Sequence, residues 1–226
     1  MTTRRRILLY VTCLAVLLGV AWYAGSRPSS SGPPPSATGS VRLGPDPGTA
    51  VADYLATLPG DLPAPGVTVP ALVQLDAEVT GPQAVALAAD GTLAEVVWRV
   101  PLPRVQTALR FEPLDDGVPP ATAVDTARQR AALAAQADAD RRTGRPGAVA
   151  AAEQAALARP GCGCVVALVV EADRTVLEAL ATRPGVRAVQ AAPAGARLTD
   201  LALAPLLPEQ TERADPLPDD GPVPTS

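Results

Sequence analysis

Cys162-Gly163-Cys164 is the one constellation in this chain of 226 residues whose residue types promise covalent chemistry. Two thiols separated by one residue can close a disulfide in an oxidising compartment, but through a small, strained ring, which makes the bond comparatively easy to reduce. Structural loop closure or two inert thiols, a redox role, and metal binding are the readings the pair leaves open. Two thiolates alone fall short of the four ligands of a closed zinc site. Arg159 is the nearest cation in sequence, and no Lys or His is at hand to lower a thiol pKa.

The carboxylates come next. Glu78 and Glu171 stand at equivalent ends of two apolar segments and could face each other across a pseudo-twofold axis, although strand-end solubility is the better reading. A glycosidase-like pair needs a cleft lined with aromatics, and the chain has only two Trp, three Tyr and one Phe. Asp115-Asp116, Asp138/Asp140 and Asp219-Asp220 fall in a loop, a polar helix and a tail, where acids form solvated faces. Arg141, Arg142 and Arg145 gather at the C-terminal end of an Ala-rich helix, where positive charge complements the macrodipole. All 19 basic residues are Arg, so a Schiff-base lysine, a Ser/His triad and any His-ligated metal site are excluded. Without the three arginines Arg4 to Arg6, 23 acidic residues face the other 16, a formal balance of −7 and the wrong sign for nucleic acid. No cofactor and no small-molecule ligand are indicated.

The elements that would position these groups follow from pattern. Arg4 to Arg6 precede Ile7 to Ala24, an 18-residue run without a charge that would span about 27 Å as a helix. The expectation is a single-pass transmembrane helix over 7–24 in the lipid bilayer, its six-residue Arg-rich tail cytoplasmic and the rest extracytoplasmic. Cleavage at Gly19-Val20-Ala21 is the competing outcome. Residues 25–48, rich in Pro, Ser and Gly, read as a disordered stalk, and 208–226 as a disordered acidic tail. Between them, 49–207 reads as the extracytoplasmic domain.

Within that domain, Val73–Val79, a helix capped by Thr80 and Gln83, and Leu93–Val100 read as strand, helix, strand, with Val105–Phe111 as a further strand. Val96, Trp98 and Val100 share one strand face. Trp98 is a core residue in the simplest reading and a docking aromatic in the other. Two Ala-rich helices occupy 119–159, the first with a stripe of Val124, Ala127, Ala131 and Ala135. Cys164–Glu171, a helix capped by Thr175 and Glu178, and Val186–Gln190 repeat the βαβ unit, with Val186 on the opposite face from Val189. A shift of 93 positions pairs Glu171 with Glu78, Leu180 with Leu87 and Val189 with Val96.

Two halves, 73–111 and 162–193, around a helical insertion imply an α+β fold: a ferredoxin-like split βαβ sandwich preceded by one transmembrane helix. Val176 to Pro193, VLEALATRPGVRAVQAAP, resembles the helix-turn-strand of subtilisin propeptide and inhibitor domains, which implies the same sandwich and a protease-binding role. Anchor, stalk, half-repeats and tail together resemble single-pass membrane proteins common in actinobacteria, which implies a location. The function expected is a non-enzymatic interaction module that binds another envelope protein through a sheet edge or the Ala-rich helices, with the inhibitor-like domain and a thiol-redox accessory using Cys162 and Cys164 as alternatives.

Overall fold

The structure, a computed structural model, describes residues 41–224. The expected span at 7–24, the Arg-rich tail and most of the stalk lie outside these residues. Two apolar runs build the centre: β2 (Val69–Val79) and β5 (Val165–Ala172) pair antiparallel. Every residue from Val165 to Val170 is buried, which is why β5 reads as an unbroken apolar run. Helix α2 (Gly81–Leu87) returns the chain from β2 to β3 (Thr92–Trp98), which pairs with β5. Helix α5 (Arg174–Ala181) returns it from β5 to β6 (Val186–Ala191), which pairs with β2. Each βαβ unit thus places its second strand beside the leading strand of the other. With β4 (Arg110–Pro113) on β3, the five strands run in the order β4-β3-β5-β2-β6, every pairing antiparallel.

The Thr80–Gln83 capping box forms, with the Thr80 N–H donating to Gln83 Oε1 at 2.8 Å. The second cap is displaced from its expected position: Asp173 accepts from the Val176 N–H, α5 begins at Arg174, and Glu178 pairs with Arg174 at 2.8 Å. A carboxylate is the stronger cap and takes the position first. Val186 and Val189 join the same core, against the alternation expected, because a register shift in the β2–β6 ladder inserts an extra residue between them.

The expectation of a ferredoxin-like split βαβ sandwich behind a transmembrane helix is corrected. The described residues form an α+β domain on a five-stranded antiparallel sheet, and no helix among them is long and apolar enough to cross a membrane. The segment 119–159 is also more than an insertion. Helices α3 (Pro120–Arg141) and α4 (Gly144–Leu157) share the main core with both βαβ units, the former through Val124, Ala131 and Ala135, the latter through Ala156 and Leu157. The opposite sheet face is covered as well. There β1 (Val41–Leu43) and β7 (Leu201–Leu203) form a parallel ribbon whose Leu43, Leu201 and Leu203 pack on Leu72, Val97 and Val166.

The described parts of both flanks assigned to disorder, 41–48 and 208–224, therefore enter the fold. Val41 to Gly48 belongs to it through β1 and a Gly48 N–H bond to the Ala214 carbonyl at 3.1 Å. Residues 208–224 run back over the domain, with Ala214 buried in a third cluster beside helix α1 (Val51–Thr57) and the 3-10 turn Leu58–Asp61 that follows it. Composition alone made these segments look unable to bury surface, yet each lies on a sheet that was already assembled. Gly44 has a φ of +114°, and a Cβ there would collide with the Ala204 carbonyl. Gly44→Ala is expected to separate β1 from β7 and lower the urea midpoint with little loss of helical circular dichroism, because α2, α3, α4 and α5 pack in the main core on the other sheet face.

Candidate functional site

Cys162 and Cys164 are joined by a disulfide, their Cα atoms 5.3 Å apart. Cys164 is buried in the main core and its carbonyl accepts the Arg99 N–H at 2.7 Å, while Cys162 is half-buried at the turn entering β5. The pair therefore closes a loop at a strand start. Arg99, 2% exposed, uses its side chain on Glu209 at 2.7 Å and Glu78 at 3.6 Å, so that guanidinium is neutralised by carboxylates. Among the described residues, no group of three or more Cys, Asp or Glu is placed to hold a metal ion.

Glu78 and Glu171 do not meet. Their strands are antiparallel neighbours, so equivalent ends lie at opposite edges of the sheet: Glu78 reaches Arg99, whereas Glu171 lies opposite Pro70 and Thr92. Trp98, fully buried on the helix-facing side, presents nothing to a partner, which corrects its candidacy as a docking aromatic. Of the arginine cluster, Arg141 and Arg142 turn to Asp138 and Arg145 to Asp219. Arg110 and Glu153 form a buried pair at 2.6 Å, with Asp138 on the same guanidinium at 3.1 Å. Glu153 also accepts the Ala108 N–H, tying the loop before β4 to α4. Removing either partner would strand a buried charge, so the pair acts as a lock between elements.

A polar relay that sequence reasoning missed joins the termini to the sheet. Gln74, fully buried in the middle of β2, donates to Tyr54 Oη at 2.7 Å and accepts the Leu206 N–H at 2.7 Å. Tyr54 donates in turn to Gln190 Oε1 at 2.9 Å, which also accepts the Gly44 N–H at 2.6 Å. The signal was in plain view: an amide inside the apolar run Val73-Gln74-Leu75 must be hydrogen-bonded.

Beside this relay, β6 forms an edge of the sheet. The Ala192 N–H donates to the Pro70 carbonyl at 2.9 Å, so by alternation Gln190 and Ala188 bond to β2 while Val189 and Ala191 turn their N–H and C=O groups outward. Among the described residues those groups have no main-chain partner. Val189, 4% exposed, lies at the wall of a groove of about 460 Å³ between Leu55, Leu58 and Leu62 on one side and Arg174, Glu178 and Ala181 of α5 on the other, whereas Ala191, equally buried, is not among the residues lining it. The other edge, β4, is four residues long and ends in Pro113, whose carbonyl Arg130 occupies, so it is blunted against pairing.

Compared with known proteins, the chain matches no family model, no curated protein and no solved structure. Its site therefore rests on geometry alone.

Burial raises the Tyr54 phenol to about 12 from its ordinary 10.0. Because the folded value lies above the unfolded one, the unfolded chain loses its proton first. Stability should stay level up to about pH 10 and fall between about pH 10 and 12. Denaturant midpoints across that range should show the fall in the wild type and not in Tyr54→Phe, which itself leaves the Gln74 Nε2–H donor without its acceptor and costs about 1–3 kcal/mol at neutral pH. Reduction of Cys162–Cys164 reopens only a three-residue loop and is expected to cost about 1.5 kcal/mol, read as the shift in urea midpoint with and without dithiothreitol.

Proposed function

We propose that the domain is a non-enzymatic, extracytoplasmic interaction module that takes an extended segment of a partner protein along β6. The observation that carries this reading is the apolar groove against edge strand β6, where the outward main-chain groups of Val189 lie at its wall. A strand laid there would satisfy the N–H and C=O groups of Val189, and its alternate side chains would enter the groove against Leu55, Leu58 and Leu62. Arg174, Glu178 and Arg187 at the rim supply polar contacts without a dominant sign. An edge left unpaired invites association, and native proteins blunt edges with no partner to meet, as this one does at β4.

The internal pairing of the buried charges at Arg99, Arg110, Glu153 and Arg128 supports a structural use of those groups over a catalytic one. The disulfide fits an oxidising compartment outside the cytoplasm.

Selection of displayed peptides on the domain should enrich extended segments with apolar residues at alternate positions. N-methylation of a selected peptide at alternate amides should weaken it by about tenfold or more for each hydrogen bond lost, with the intervening amides tolerant. Ala181→Arg, at an exposed position in the groove, should abolish binding without changing stability. Peptides indifferent to N-methylation, or bound equally by Ala181→Arg, would sink the proposal.

A further inference from the structure

The turn Leu102-Pro103-Arg104-Val105 closes with the Val105 N–H donating to the Leu102 carbonyl at 3.1 Å. Arg104 has a φ of +56°, the one positive value at a non-glycine among the described residues. A Pro at the second position and a positive φ at the third describe a turn whose third residue is ordinarily Gly or Asn. An Arg held there carries backbone strain, and such strain collects at ligand clamps. What Arg104 gains is a grip on the chain's own C-terminal segment. Its side chain forks onto both carboxylate oxygens of Asp220, with Nε to Oδ1 at 2.7 Å, and its carbonyl accepts the Gly221 N–H at 2.7 Å. Around it, the Gln106 N–H donates to Asp219 Oδ1 at 3.1 Å, and Arg145 reaches Asp219 Oδ1 at 2.9 Å and the Gly221 carbonyl at 2.9 Å. Gly221 is buried, and a Cβ on it would meet the Arg104 carbonyl at 2.9 Å. The surface thus recognises two consecutive acids followed by a residue that must be Gly.

The side chains that make this contact are exposed, Arg104 by 62% and Asp220 by 64%, and exposed ion pairs of this kind are weak and screened by salt. The tail can therefore leave without the core opening. From this geometry we infer that the Arg104–Gln106–Arg145 surface is a recognition site for an acidic Asp-Asp-Gly peptide of a partner protein, occupied by the chain's own Asp219-Asp220-Gly221 until that peptide displaces it. The site is independent of the β6 groove. The tethered tail competes at an effective concentration of millimolar order, so a free peptide must overcome it.

The test uses the full chain carrying Asp219→Ala, Asp220→Ala and Gly221→Val to release the tail, and as probe a synthetic peptide of residues 217–223, LPDDGPV. The released chain is expected to bind this peptide about tenfold or more tightly than wild type does, by isothermal titration or fluorescence anisotropy. Arg104→Gly, which relaxes the turn while removing the fork, should abolish that binding, as should Ala in place of Gly in the peptide. Absence of binding, or binding indifferent to Arg104→Gly, overturns the inference, and so does a released chain that fails to fold, since the tail would then be part of the core. On the wild type, hydrogen exchange at the Gly221 amide should proceed far faster than global unfolding allows; exchange only through global unfolding overturns it too. Concentration-dependent dimerisation of the wild type that Gly221→Val removes would assign the surface to a second copy of this chain and not to a separate partner.

Discussion

The buried amide of Gln74 is the constraint on which the rest of this architecture turns. A central strand cannot carry an unpaired amide without a penalty of a few kcal/mol, so the chain must bring partners to it. It brings Tyr54 from α1 and the Leu206 main chain from the C-terminal segment, and Tyr54 passes the requirement on to Gln190 and thence to Gly44. One polar residue on the sheet thereby fixes where both flanking segments lie. With those segments in place, the second sheet face is sealed by β1 and β7, and a sheet that could have stood with one face to solvent is covered on both.

Charge is organised by the same rule of internal satisfaction. With Arg as its sole strong base, the chain has a planar donor that can hold several acceptors at once, and the buried examples do so. Arg128 holds Asp125 and the Leu157 carbonyl, tying α3 to the end of α4, and Arg110 holds Glu153 and Asp138 across the same pair of helices. Helices so rich in Ala bury little area for each residue, and these locks supply orientation that side-chain volume does not.

The two sheet edges are treated unequally. At β4 a short strand, a proline and an arginine on its carbonyl leave little to pair with. At β6 the edge runs beside an apolar groove whose walls come from α5 and from the 3-10 turn after α1. That asymmetry, together with a strained arginine gripping the C-terminal tail, is the basis of the two recognition surfaces proposed for a domain whose buried charges are already paired.

How much of this the amino-acid order disclosed depends on range. The two βαβ units, the Thr80–Gln83 cap, the Ala stripe of α3 and the inward placement of Val96, Trp98 and Val100 are set by neighbours three or four residues apart, or two along a strand, and they were legible. The cysteine pair was legible as able to close a disulfide for the same reason, with two inert thiols, a redox role and metal binding left open. Tertiary structure alone decided the rest. The antiparallel pairing of β2 with β5 sent Glu78 and Glu171 to opposite ends; a register shift put Val186 with Val189; and the carboxylate of Asp173 displaced the cap expected at Thr175. Residues 41–48 and 208–224 were misread because disorder was judged from their own apolar content, whereas their burial is against residues elsewhere in the chain. Gln74, Gln190 and Arg104 each take a partner more than a hundred residues away. Local composition carries no record of such distances, since which segments meet is decided by the packing free energy of the whole chain.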